Sequence, residues 1–506
     1  MKDSPFIGGK LQRGGNMALE KKKPDATVAI IGAGFSGLGM AIQLQQAGIQ
    51  DFVILEAAGE VGGTWRDSKY PGAAVDVPNH LYSYSFEQNP DWTRMFSNAQ
   101  EIQNYILHVA DKYGLRPKIR FNTKVVEAHF DEAENLWQAK TQKGDILRAR
   151  FVVGAMGPFA ESRIPQIEGI KKFKGTMAHT ATWDNATQLK GKRVAVVGSG
   201  ASAIQVVPAV QPLAKELKVF QRTPSWVVPK ADYEYSALEK TIYRYLPFTQ
   251  TIRRAFIYGM TELLATAIVW DTPMTDLLER ISKRHMAKAI QDPELLRKVT
   301  PQYRLGRTRM LISNDWYPAL AKPNVELIDH GVDALTENGI VANGKEYPVD
   351  VIIWATGYKS PSEGFPFPLT GIKGRDLNTY WAEGAKAYKG VTIAGFPNLF
   401  TLMGPNTGPG HTSVLVYVEA QQRYIVQAIQ QCMKNHIGSL TVREDRQEDF
   451  NRLLVEKMKK TTWGDGGNSW YYTKDGRNTT LYPGFATDYV LSVRNFDLDD
   501  YSVKSI

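Results

Sequence analysis

The sequence predicts an α/β fold: two Rossmann-like dinucleotide-binding domains with a helical insertion. Three observations carry this. A strand, glycine turn and helix occur twice, the strand after each copy ends on a residue of opposite charge, and a glycine-poor stretch with helical spacing interrupts the second unit.

The repeat comes first. Val28-Ala29-Ile30-Ile31-Gly32-Ala33-Gly34-Phe35-Ser36-Gly37 matches Val194-Ala195-Val196-Val197-Gly198-Ser199-Gly200-Ala201-Ser202-Ala203 nearly position for position. Gly32, Gly34 and Gly37 in one copy, and Gly198, Gly200 and Ser202 in the other, are candidate cofactor contacts. The first two glycines of each copy permit a tight turn and close approach of backbone to a pyrophosphate, and the helix N-terminus attracts its charge. One such motif is weak evidence in a glycine-containing chain of this length. Two, each after an apolar run of strand length and each leading to a second strand at the same offset, are much stronger.

That second strand ends on Glu56 in the first unit and on Arg222, followed by Thr223, in the second. An acid there accepts hydrogen bonds from ribose hydroxyls, whereas an arginine pairs with a 2′-phosphate. The first unit therefore suits FAD and the second NADPH. The alternative is that both are solvated strand-end charges.

Two apolar segments ending in small residues, 151–158 and 350–358, fit places where the chain passes between nucleotide-binding domains, although either alone fits any buried strand with a glycine turn. Between 233 and 299 apolar residues recur at helical spacing. Its most apolar part, 256–270, is interrupted by Glu262 and falls short of the ~20 residues that cross a bilayer. It reads as a buried or substrate-lining helix, or else as a cap without a substrate role. A Gly/Pro-rich loop at 403–411 is expected to close over the flavin. The expected organisation is a disordered extension (1–20), the FAD domain (21–158 and 390–506, the latter with a mobile C-terminal loop), the NADPH domain (159–229 and 301–389) and the insertion (230–300).

Of the 506 residues, Lys and Arg exceed Asp and Glu by nine, but the basic residues are interleaved with acids, which argues against a nucleic-acid partner. The one cysteine, Cys432, excludes an intramolecular disulfide and the redox dithiol of flavin disulfide reductases, and fits a reducing cytoplasm. No metal site is expected, and oligomeric state is left open.

Two further patterns narrow the chemistry. Phe173, Gly175, His179, Trp183 and Asp184 fall on the fingerprint F-x-G-x-x-x-H-x-x-x-W followed by Pro or Asp. Gly62, Gly63, Trp65, Tyr70, Pro71, Gly72 and Asp76 match G-G-x-W-x-x-x-x-Y-P-G-x-x-x-D. From about Thr27 to Tyr489 the chain thus resembles the type I Baeyer–Villiger monooxygenases, class B flavoprotein monooxygenases; related flavin-containing and N-hydroxylating enzymes meet the fingerprint only in part. The resemblance implies that NADPH reduces FAD, that O₂ adds to the flavin at C4a, and that the peroxyflavin attacks a ketone to give an ester or lactone, with sulfides as a second substrate class. It also implies cofactor-binding roles for Gly63, Thr64, Trp65, Asp76 and Tyr82. The fingerprint lies in the linker ahead of the second glycine motif, where it would couple the two units, with His179 an orienting hydrogen-bonder rather than a general acid.

Negative charge develops on oxygen in this reaction, so a positioned cation is required. By resemblance that cation is Arg309, in the segment 305–318, with Asp76 beside it as a charge-assisted partner; a plain salt bridge is the alternative. One departure stands out. Where the family often has a lysine that helps bind the 2′-phosphate, this chain has Thr308, and whether Arg307 substitutes is open, so the NADPH preference rests on Arg222 and Thr223. The segment 463–471 resembles the family's mobile loop over NADP, with Trp470 stacking on the nucleotide, or it is an ordinary surface loop. Two other functions remain in view: a flavin monooxygenase limited to N- or S-oxidation, and a non-catalytic NADP(H)-sensing flavoprotein.

Overall fold

The computed structural model describes residues 23–159, 161–359, 364–464, 471–473 and 475–505. The expected extension at 1–20 and Trp470 lie outside these described residues.

Two sheets organise the chain. In the first, Ala26–Ile31 pairs in parallel with Phe52–Leu55 on one side and with Ile146–Gly154 on the other. Val125–Asp131 and Leu136–Thr141 extend it as an antiparallel meander, and Leu399–Thr401 returns to pair in parallel with the end of Ile146–Gly154. The second sheet is wholly parallel, in the order Val325–Ile328, Glu216–Phe220, Arg193–Val197, Val351–Trp354 and Thr176–His179. Its central strands, like Ala26–Ile31, are almost entirely buried and apolar, because helices and loops cover both faces of a parallel sheet.

Two helices crossing at glycine hold the FAD-side core together. The helix Phe35–Gln46 lies so close to Val414–Lys434 that a Cβ on Gly39 would sit 2.6 Å from Gln422 Nε2, and Gln422 Nε2 donates to Ser36 O at 3.0 Å.

The fingerprint is not only a linker. Thr176–His179 forms the edge strand of the second sheet, and a Cβ on Gly175 would meet Asp350 O at 2.4 Å, where the neighbouring strand begins.

The insertion folds into helices Ala237–Tyr245, Phe248–Ile268, Pro273–Ala289 and Pro293–Val299. The expectation of a buried or substrate-lining helix at 256–270 needs correction. Ile257, Ala265 and Ile268 are buried, but Phe256, Met260 and Leu263 face solvent, and no described residue of 230–300 lines the main cavity. The inward face carries, besides these buried residues and Ala267 and Val269, Arg254, which donates to the carbonyls of His80 and Ser83, and Glu262, which accepts from the backbone of Ala486 and Thr487.

Candidate active site between the two glycine turns

The carboxyl ends of the two sheets open into one cavity of about 2730 Å³, several times the ~300–1,000 Å³ of an ordinary small-molecule pocket. Its shape begins with the two turns, which are built alike. Gly32 has φ +108° and Gly198 φ +132°, conformations that L side chains rarely adopt. A Cβ on Gly32 would lie 2.7 Å from Ala155 O, and one on Gly198 2.4 Å from Ala355 O. Ala155 N donates to Ile31 O and Ala355 N to Val197 O, each at 2.9 Å. The two small-residue segments singled out in the sequence therefore end against the first glycine of each motif, and a larger turn would close the floor of the cavity.

Gly34, Glu56, Gly63, Thr64, Trp65, Asp76 and Tyr82 line the cavity from the first unit, and Gly200, Ser202, Arg222, Thr223 and Arg309 from the second. Gly37 does not reach it. A Cβ there would stand 1.9 Å from Gly32 O, so its role is to let the helix seat on the turn.

The two strand-end charges differ in surroundings. Glu56 is 5% exposed; its Oε2 accepts from Ala33 N at 2.8 Å, and its Oε1 from Ala58 N and Arg66 Nη1, each at 2.9 Å. Oε1 thus has both lone pairs engaged, and Oε2 keeps room for one further hydrogen bond. Arg222 is exposed and has no ion-pair partner among the described residues. Thr308 also lines the cavity, its hydroxyl 2.9 Å from Tyr303 OH, whereas Arg307 does not line it.

The second sequence pattern bridges the units. Tyr70 OH donates to Gln205 Oε1 at 2.7 Å, Gln205 Nε2 donates to Ala74 O at 2.9 Å, and Gly72, at φ +82°, fits against Gln205 O. Asp76 then reaches across the cavity, and Arg309 Nη2 donates to its Oδ2 at 2.6 Å. Both side chains stay partly open, 41% for Arg309 and 29% for Asp76, toward the space they line. The Asp76 carboxylate raises the Arg309 guanidinium above its already high value, so it is a permanent cation. Around the pair, burial pushes Tyr82 and Tyr471 up to about 12, which keeps both phenols neutral. Trp65 Nε1 donates to Tyr82 OH at 3.1 Å.

The fingerprint residues stand apart from this cavity. His179 is buried at the end of its strand; Nδ1 accepts from Ala181 N at 3.0 Å, and Nε2 lies 3.4 Å from Thr356 Oγ1, which itself donates to Arg163 O. Burial lowers its pKa, and the bonding assigns the ring proton to Nε2. Phe173 packs in the core beneath the second sheet. Trp183 borders a smaller cavity with Thr64 and Asp67 of the first unit, and Asp184 caps a turn through Ala186 N. Residues that sequence reasoning passed over are Arg66, Gln205 and Tyr471. Arg66 could have been found by asking what neutralises a buried Glu56, and Tyr471 by following the loop resemblance one residue past Trp470; nothing in the sequence signals Gln205.

Comparisons with known proteins agree with this architecture. The family described as pyridine nucleotide-disulphide oxidoreductase matches residues 29–251, although a single cysteine cannot supply a dithiol. A Baeyer–Villiger monooxygenase of Streptomyces coelicolor is 43% identical over 481 residues, 94% of this chain and 92% of that protein. One from Pseudomonas aeruginosa is 44% identical over 484 residues, with 94% and 91% covered. Among solved structures, OTEMO complexed with FAD and NADP superposes with a TM-score of 0.86 at 25% identity, covering 96% of this chain and all of that one. The closed form of cyclohexanone monooxygenase gives 0.86 at 26%, covering 95% and 99%. By sequence along nearly its whole length, and by fold, the chain belongs to the Baeyer–Villiger monooxygenase family.

Proposed function

We propose that this protein is an FAD- and NADPH-dependent Baeyer–Villiger monooxygenase in which Arg309, oriented by Asp76, is the cation that supports oxygen insertion next to a ketone carbonyl. A ketone, O₂, NADPH and a proton give an ester or lactone, NADP⁺ and water; sulfides are a second substrate class. The observation that carries this reading is the Asp76–Arg309 pair standing in one cavity between two glycine turns.

The residues present fit both cofactors. Gly32 and Gly34 at the start of the helix Phe35–Gln46, with Gly63 and Glu56, would hold the pyrophosphate and ribose of FAD; Gly198 and Gly200 at the start of Ala201–Val210 would hold the pyrophosphate of NADPH. Arg222 and Thr223 would hold the 2′-phosphate, Thr308 being an uncharged hydroxyl where the family often has a lysine. Bound flavin, reduced by NADPH, supplies activated oxygen. The chain's own contribution is electrostatic. Arg309 offers fixed positive charge where oxygen becomes negative, and Asp76 keeps the guanidinium from swinging out of line, so little reorganisation accompanies the reaction. Neutral Tyr82 and Tyr471 line the same wall without adding a competing anion. His179, away from the cavity and held neutral, orders the turn at Ala181 and stands beside Thr356 of the cavity wall. The lone, buried Cys432 supports a cytoplasmic setting.

In Arg309→Ala, flavin reduction by NADPH should persist in stopped-flow traces, while ester formation falls by about 10²- to 10³-fold, the usual loss for one such stabiliser. Loss of flavin from the purified variant would instead make Arg309 a structural residue.

A further inference from the structure

The helix Phe248–Ile268 is amphipathic in the wrong sense for an isolated surface helix. Its three charged residues turn inward or sideways into hydrogen bonds: Arg253 to Tyr233 OH, Arg254 to backbone carbonyls of the first unit, and Glu262 to His411 and the backbone near 486. The outward face is apolar. Phe248, Ile252, Phe256, Met260 and Leu263 are 60%, 62%, 61%, 51% and 51% exposed, and Leu238 and Tyr245 of the preceding helix continue the patch at 69% and 75%. The residues between them on that face, Thr251, Ala255 and Gly259, are small and uncharged.

Leaving such a surface in water is costly, and a monomer's apolar patches rarely exceed a few hundred Å². Seven large side chains, each more than half exposed, present on the order of 800 Å², which is the share per partner of a standard-size interface. The spacing also matters. Phe248, Ile252, Phe256 and Met260 form one i, i+4 ridge, about 18 Å long at 1.5 Å per residue, the kind of ridge that packs into the groove of a second helix. The rim carries both signs: Arg244 paired with Asp91, and Glu239 near Lys240. A mixed rim around an uncharged centre suits a protein partner, and homodimer centres are the most apolar of protein interfaces. An anionic bilayer would be better matched by a uniformly basic rim.

We infer that this face is the interface of a two-fold homodimer, with the helix Phe248–Ile268 packed antiparallel against the same helix of a second copy and Phe256 near the axis. An isologous contact of this kind needs one self-complementary patch and closes at two subunits. The inward face of the same helix holds Thr412, which lines the cavity, through Thr261 Oγ1 at 2.8 Å, so dimerisation would brace one wall of the active site.

The test is the mass of the flavin-loaded full chain by light scattering at tens of micromolar, beside the Ile252→Glu/Phe256→Glu double variant. The expected result is twice the chain mass for the wild type and a single chain mass for the variant, with flavin content unchanged because both positions lie on the surface. Phe256→Cys adds an independent readout. Since Cys432 is buried, mild oxidation should cross-link this variant, and not the wild type, into a covalent dimer. A wild type that is monomeric at every concentration overturns the proposal, as does a dimer that the double variant leaves intact. A monomer that sediments with vesicles of mixed neutral and anionic phospholipid also overturns it and assigns the patch to a bilayer.

Discussion

The two glycine turns share sequence, strand order and the alanine packed beneath them, yet they treat the charge at the end of the next strand in opposite ways. Glu56 is buried and tied to Ala33, Ala58 and Arg66, whereas Arg222 is exposed at the cavity edge. The helices differ as well. Gly37 presses on Gly32 so closely that any side chain would collide, while the equivalent Ala203 carries its Cβ without conflict. One scaffold thus serves two ligands. On the function proposed above, the first copy is preassembled around the flavin nucleotide, and the second offers an open cation to the nicotinamide nucleotide.

The largest effect that could break this comparison comes from Gly37→Ala. The added Cβ would fall 1.9 Å from a backbone oxygen, so the purified protein should lose its flavin absorbance or fail to fold. Ala203 already stands at the equivalent position of the second turn, so Gly200→Ala serves as a control for adding a Cβ there. Nothing lies within 4 Å of its Cβ and its φ of −84° is ordinary, so its flavin content should equal that of the wild type. A flavin-replete Gly37→Ala would show that the first turn is no tighter than the second.

Next in size is Arg222→Ala. Losing a charge-assisted contact to the 2′-phosphate should raise KM for NADPH by about ten- to a hundredfold with little change in kcat, and should bring NADPH and NADH close to parity. Steady-state kinetics with both nucleotides checks this. Unchanged selectivity would return the 2′-phosphate to other residues lining the cavity.

The smallest expected effect concerns two buried histidines. His179 has partners on both ring nitrogens, but His80 has none on Nε2 among the described residues, and its pKa is pushed down to about 4, first by burial and then by Arg253 and Arg254. Because the folded value lies below the ordinary ~6.5, the neutral ring's contribution to stability is complete above that pH and is lost as pH falls toward 4. Tm should drop across this window, and the drop should be shallower in His80→Asn, each protein being referred to its own value at neutral pH. Parallel pH profiles would contradict it.

How much of this was legible in the sequence depended on the range of the interactions. The turns, their opposite strand-end charges and the helices of the insertion follow local rules of spacing and residue type, and they could be read directly. The Asp76–Arg309 pair joins residues 233 positions apart and could be placed only by resemblance. Which face of the helix Phe248–Ile268 turns inward could not be read. Periodicity locates an apolar stripe but assumes that it is buried, and here Arg254 and Glu262 claim the inside by bonding to backbone groups that a sequence does not display. The Thr176–His179 strand was hidden for a similar reason, since an edge strand of four residues has little pattern of its own.

The central claim is insertion of one oxygen atom beside a carbonyl. Purified enzyme should be supplied with a ketone, NADPH and oxygen-18 gas, and the products read by mass spectrometry. The account predicts an ester or lactone carrying one heavy oxygen, formed in proportion to NADPH consumed. A heavy sulfoxide from a sulfide control, with no ester from any aliphatic, cyclic or aryl ketone, would contradict it.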